Sequence, residues 1–234
     1  FDTIAGAFSI DMIPTGNVDP YGLRRNAIGI INIIEEAGWR ISLDKLTEEA
    51  LSLVGSKATV AKAITAEKVK NFFIQRHKQL LIARGEVEAD AYDAAAAGFV
   101  DFIGQRNRAV ALTAAKNSES FKSIAQSFKR INNILKKSDE FSEGTVNTAL
   151  FEQDEEKKLY STLEELANTI NSHVKDENWG AATDVLIRFA EPLADFFDKV
   201  MVNAENVEIR NNRLRLLAGL RNLFVTVCDL VEII

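Results

Sequence analysis

SESFKSIAQSFKRINNILKK, residues 118–137, is the stretch that decides the fold class of this chain. On a helix with about 100° per residue, its apolar side chains fall within one arc. They are Phe121, Ile124, Phe128, Ile131, Ile134 and Leu135. The same helical spacing recurs along most of the chain, and little sequence alternates with the two-residue period of a strand. The sequence therefore predicts an all-α fold, a helical bundle.

All charged residues on the polar side of this helix after Glu119 are basic. We call the residues opposite the apolar arc the basic stripe: Lys122, Lys129, Arg130, Asn133, Lys136 and Lys137. No acid occurs between Glu119 and Asp139, whereas ordinary solvated helix faces mix both signs. The stripe is either a plain solvated face or a surface that binds an anionic partner.

Charge is distributed unevenly along the chain, whose formal net charge is −6. Residues 70–138 hold twelve Lys and Arg against six Asp and Glu, whereas residues 139–209 hold five against seventeen. A net negative charge argues against a nucleic-acid partner, because Lys and Arg drive phosphate binding by releasing counterions. The local distribution is nevertheless compatible with a focused basic face.

Composition narrows the class of protein. With 234 residues, 47% of them hydrophobic, the chain can bury one large core or two modest ones. No apolar run approaches the roughly 18 residues of a membrane span, and no signal-peptide pattern opens the sequence. A lone cysteine, Cys228, is expected to be a buried thiol in a reducing compartment. We therefore expect a soluble, cytoplasmic protein with no membrane partner.

Two further expectations concern metals and the extent of the chain. His77 and His173 are far apart, lack metal-ligand spacing and are expected on helix surfaces, so no metal or other cofactor is predicted in this chain. Phe1 stands where a Met is usual and the sequence stops in the apolar run VEII, so we expect a piece of a longer protein.

Gly, Pro and capping residues divide the chain into helices. Asp19 is predicted to cap a helix that begins at Pro20, and residues 55–67 to form a hinge or linker. On the last long helix, Arg210, Arg213 and Arg221 are predicted to project outward. The predicted helices span about 2–10, 20–37, 44–54, 67–84, 89–97, 99–115, 118–137, 154–174, 178–189, 193–202 and 209–230.

Several stretches together resemble one family, the beta subunits of the bacterial two-subunit glycyl-tRNA synthetases. IPTGNVDPYGLRRNAIGIINII (13–34) is similar to a signature that reads IPTG, two variable residues, DPFALRR and an apolar helix. Tyr21 and Gly22 stand where Phe and Ala are usual. FKRINNILKK (128–137), DFFDKVMVNAE (195–205) and RNNRLRLLAGLRNLF (210–224) resemble the far C-terminal part of that subunit.

The resemblance runs in order from Phe1 to Ile234 and implies a set of domains and partners for the chain. Its C-terminal part is similar to the DALR-type anticodon-binding domain of arginyl-tRNA synthetases. The family implies that residues 1–64 end an HD-like helical domain, 65–109 form a helical connector and 110–234 form an anticodon-binding bundle. It also implies tRNA(Gly) as partner, no DNA, and an alpha subunit that joins a heterotetramer and carries the active site with ATP and Mg. No catalytic centre is then expected in this chain.

The candidate tRNA contacts follow from this resemblance and from the stripe. Phosphate contacts are expected from Lys122, Lys129, Arg130, Lys136 and Lys137. Asn132 and Asn133 are expected to bond base edges, which are accessible in unpaired loops, and Arg210, Asn211 and Arg213 to complete the site. The alternative is a noncatalytic helical scaffold whose basic helix binds an acidic protein partner or the chain's own acidic segment 139–177.

Overall fold

The computed structural model of the chain describes residues 1–96, 98–138 and 144–233. These residues form eleven α-helices and three short 3-10 helices, with one isolated β-bridge between Thr15 and Val18. The all-α prediction is confirmed. The helices are α1 (Asp2–Ser9), α2 (Leu23–Glu36), α3 (Leu43–Val54), α4 (Lys62–Ala83), α5 (Ala89–Ala96), α6 (Phe102–Ala115), α7 (Glu119–Lys136), α8 (Asp154–Lys175), α9 (Trp179–Ile187), α10 (Ala190–Lys199) and α11 (Val207–Val227).

The chain folds into two compact units, each with its own packed helices. Unit 1 comprises Phe1–Ala89 and Phe99–Asn107, and unit 2 comprises Asp90–Gly98 and Arg108–Ile234. Helix α4 packs against α1, α2 and α3 within unit 1. The domain division drawn from the family resemblance stays a prediction. None of the described helices is long and apolar enough to cross a membrane.

Unit 1 is built on aromatic side chains. Phe1 stacks on Phe73 with ring centroids 4.7 Å apart, and Phe73 in turn contacts Phe102 at 6.1 Å. His77, expected on a surface, is fully buried beside Phe102, and its Nε2 lies 3.2 Å from Glu35 Oε1. The prediction that His77 lies on a helix surface is therefore wrong. The Glu35 carboxylate supplies the hydrogen-bond partner that the buried ring requires. Burial lowers the pKa of His77.

The start of α2 differs from the prediction. The helix begins at Leu23 rather than Pro20, after Gly22 in the left-handed conformation with φ +63°. Asp19 still caps the helix, because its carboxylate accepts hydrogen bonds from the backbone N–H groups of Leu23 and Arg24 at 2.8 and 3.0 Å. Gly22, one of the two departures from the family signature, is therefore suited to its position, since glycine adopts positive φ without strain.

Helix α7 packs against three other α-helices of unit 2. It packs against α9, α10 and α11, and the inward arc predicted from its sequence is buried at Phe121, Ile124, Phe128 and Ile131. Phe128 stacks on Phe224 of α11 with centroids 6.0 Å apart. Ser118 caps the helix, because its side-chain oxygen accepts a hydrogen bond from the Phe121 N–H. The inner face therefore fixes the rotation of α7, and with it the direction of the basic stripe.

Candidate nucleic-acid interface

Every member of the basic stripe lies on the exposed side of α7. Lys122 forms a solvent-exposed ion pair with Glu119, with Nζ and Oε1 2.9 Å apart. Within the described part of the chain, no ion pair neutralises Lys129, Arg130, Lys136 or Lys137. Among the described residues, these four positive charges are therefore free of carboxylates along one helix face.

Part of the stripe lines a groove with a volume of about 470 Å³. Lys129, Arg130, Asn133 and Lys137 contribute from α7, and Asn203 reaches the groove from the connection between α10 and α11. Gln126 adds a third amide to the lining. The groove thus combines cations with amides, which both donate and accept hydrogen bonds. Such a set can hold phosphates and bond base edges.

Among the described residues, the side chain of Arg130 packs on an aromatic ring and forms no ion pair. Its Cζ lies 4.3 Å from the ring centroid of Phe197 on α10, and that ring is itself buried. A guanidinium at this distance from a ring is attracted by the ring's quadrupole. The ring contact thereby holds Arg130 at the groove.

Asn132 does not lie on the contact surface. Its side chain is buried, and its Oδ1 accepts a hydrogen bond from Nε of Arg221 at 2.6 Å. The prediction that it reaches a base edge conflicts with this placement, because the α7–α11 contact covers the amide. Asn132 instead joins the two helices, and Arg221, although exposed, is engaged at that contact.

Arg213, predicted to project outward and contact tRNA, is buried, so its predicted orientation is wrong. Its Nε donates to Glu156 Oε1 at 2.9 Å, and its two terminal nitrogens donate to the Glu152 carboxylate and the Met201 carbonyl. The hydrogen bond with Glu156 raises the pKa of Arg213. Glu156 also caps α8 through the Glu152 and Gln153 N–H groups. This cluster ties α11 to α8 inside the bundle.

The other two predicted residues of α11 are partly buried and do not line the groove. Arg210 donates to the carbonyl of Ala204 at 3.3 Å, and Asn211 follows it on the same helix. The structure thus brings together four predicted residues, Lys129, Arg130, Asn133 and Lys137, with Lys136 exposed nearby on α7. Gln126 and Asn203 were missed from the sequence, since neither stands out before the helices are packed.

Four described acids of the acidic segment form ion pairs away from the basic stripe. Among its described residues, 144–177, Asp154 pairs with Lys157, Glu155 with Lys199, Glu165 with Arg188, and Glu156 with Arg213. None of these pairs involves the basic stripe. Residues 139–143 of this segment lie outside the described residues. In the part of the chain that the structure describes, no group of three His, Cys, Asp or Glu is placed to hold a metal ion.

Comparison with known proteins places this arrangement in a class. The family model described as the DALR anticodon binding domain matches residues 124–234, which contain most of α7 and all of α8 to α11. The helical bundle around the basic stripe therefore defines a DALR-type anticodon-binding fold. A second model, described as the glycyl-tRNA synthetase beta subunit, matches residues 1–97.

Individual relatives are similar in sequence to this chain along nearly its whole length. Glycine–tRNA ligase beta subunits are 36% identical in Syntrophus aciditrophicus and 37% identical in Geobacter metallireducens, over 100% and 99% of this chain and 33% of each relative. The counterpart in Erwinia tasmaniensis is 37% identical over 98% of the chain and 33% of that protein. The chain belongs to the glycyl-tRNA synthetase beta-subunit family, and it spans about a third of the length of the curated relatives it matches.

Proposed function

We propose that unit 2 binds the anticodon arm of tRNA(Gly) as the tRNA-binding part of a glycine–tRNA ligase beta subunit. The observation that carries the proposal is the set of four cations on α7 without carboxylate partners among the described residues, beside three groove-lining amides. In this role the cations hold the phosphates and the amides meet unstacked base edges. Lys122 extends the same line of charge at the N-terminal end of α7.

The catalytic chemistry belongs to another chain in this proposal. ATP and Mg act at the alpha subunit, and the beta chain contributes tRNA binding within a cytoplasmic heterotetramer. The scaffold alternative is less well supported, because four of the described acids of segment 139–177 pair with cations outside the basic stripe. An acidic protein partner would compete with tRNA for the stripe, so a competition experiment would detect it.

Reversing the charge of Lys129 and Arg130 should weaken tRNA binding by at least about tenfold near 0.1 M salt, because each lost phosphate contact removes released counterions. The slope of log affinity against log salt should become shallower by about 1.5. Filter binding of tRNA(Gly), with a tRNA of altered anticodon as competitor, measures both quantities.

The matched control is Lys157→Glu with Lys158→Glu, an adjacent pair on α8 whose reversal changes the net charge of the chain equally. It should leave affinity within about threefold of the unsubstituted chain, since long-range fields of exposed charges are screened. Equal losses in both double variants would mean that net charge, rather than the stripe, controls binding. Unchanged affinity in the stripe variant would remove the stripe from the interface.

Asn133→Ala should reduce discrimination between anticodons and leave the salt slope unchanged, because an amide contacts base edges without displacing counterions. Loss of one hydrogen bond of about 1 kcal/mol corresponds to roughly a fivefold smaller affinity ratio between tRNA(Gly) and the tRNA of altered anticodon. Asn168→Ala, an exposed asparagine of α8, is the control. An equal loss of affinity for both tRNAs, with discrimination intact, would place Asn133 at a phosphate instead.

A further inference from the structure

Arg130 differs chemically from the other cations of the stripe. One side of its guanidinium is covered by the Phe197 ring, 4.3 Å from Cζ to centroid, while the side chain is exposed and lines the groove. Phe197 is only 8% exposed and forms an edge contact with Phe196 at 5.6 Å, so the support is fixed by the core. The guanidinium is therefore a flat group that is held by the core and lies at an exposed position of the groove.

A phosphate contact does not require such a group. A lysine ammonium binds phosphate as a point charge, and the neighbouring positions 129, 136 and 137 are all lysine. Unstacked RNA bases, in contrast, stack on aromatic rings and on arginine guanidinium planes. The aromatic backing at Arg130 thus fits a flat ligand better than a charged oxygen.

The polar groups around Arg130 fit the edges of such a ligand. Asn133, one turn further along α7, and Asn203, from the connection that follows α10, line the same groove. Their amides come from two separate segments of the chain, and each offers both donors and an acceptor. A base lying on the guanidinium would present its edge atoms to these amides.

We propose that the Arg130–Phe197 pair is a stacking platform for one unpaired nucleobase, with Asn133 and Asn203 at that base's edge. The proposal rests on the proposed function and makes it specific: the lysines hold the backbone, and Arg130 holds a base. It moves Arg130 from the phosphate contacts assigned from the sequence to the base-reading part of the site.

Arg130→Lys separates the two roles, because it keeps the charge and removes the flat group. A synthetic anticodon stem-loop of tRNA(Gly) should bind the variant about tenfold more weakly, since base stacking carries an effect of this order. The salt slope should stay the same. Arg188→Lys, an exposed arginine of the same unit paired with Glu165, is the matched control and should bind within about twofold of the unsubstituted chain.

Abasic nucleotides placed in turn along the loop supply the second measurement. At one position, removing the base should cost the unsubstituted chain about tenfold and Arg130→Lys almost nothing, because the stacking contact is already lost. Additive losses at every position would overturn the platform. Unchanged binding by Arg130→Lys alongside a loss in Lys129→Glu would also overturn it and leave the proposed function standing. If neither variant changes binding, both proposals fail.

Discussion

Arg213→Ala is expected to destabilise unit 2 by about 3–5 kcal/mol, because it leaves a buried carboxylate without its cation. Glu156 is fully buried, and its two oxygens accept from Arg213 Nε at 2.9 Å and from an Arg213 terminal nitrogen at 3.1 Å. The substitution also frees the Met201 carbonyl. Urea unfolding followed by Trp179 fluorescence in a Trp39→Phe background measures the loss within unit 2.

Arg210→Ala, one turn earlier on α11, is the control for this substitution. Arg210 is partly exposed and makes one hydrogen bond, to a backbone carbonyl at 3.3 Å, so its removal should cost about 1 kcal/mol or less. Under conditions in which the Arg213→Ala variant is still folded, the affinity of that variant for tRNA should match that of the unsubstituted chain, because Arg213 is buried. A loss below about 1 kcal/mol for Arg213→Ala would contradict the structural role assigned here.

Arg108→Met is expected to cost about 3 kcal/mol, although this arginine has no carboxylate within salt-bridge distance among the described residues. Its terminal nitrogens donate to the carbonyls of Ala95 at 3.2 Å and Thr226 at 2.9 Å, in the last turns of α5 and α11. Helix C-termini carry partial negative charge, and Cζ lies 4.1 Å from the Trp179 ring centroid. Two helix ends and one indole thus replace an acid.

Arg106→Met on the same helix is the comparison for Arg108→Met. Arg106 is 42% exposed at its side chain and pairs with Glu86, so the change should cost about 1 kcal/mol or less in urea unfolding. If Arg108→Met is no more destabilising than Arg106→Met, the two helix ends do not depend on the guanidinium.

The helices and the stripe could be predicted because α7 is amphipathic with a single apolar arc. Once Phe121, Ile124, Phe128 and Ile131 face inward, the rotation of the helix is fixed and the lysines must lie on the other side. The cap at Asp19 was predicted for a similarly local reason. Helical periodicity and capping depend on residues that are close together in the chain, so both can be predicted from the sequence alone.

The buried polar residues of α11 could not be predicted in this way. Consecutive residues of it are buried, Asn212, Arg213 and Leu214 among them, so no polar arc marks its outside. The burial of Arg213 depends on Glu156, 57 positions away in the chain. Asn203 lines the groove because the α10–α11 connection packs beside α7. Partners distant in sequence decided each of these positions, and one sequence carries no signal for them.

Footprinting of tRNA(Gly) bound to the chain tests the central claim most directly. If the basic stripe of α7 binds the phosphates of the anticodon arm, as we propose, hydroxyl-radical cleavage should show protection of the backbone of that arm. In the Lys129→Glu, Arg130→Glu variant, with unchanged circular dichroism, that protection should disappear. Protection confined to the acceptor arm, or an anticodon-arm footprint that persists in the variant, would contradict the account.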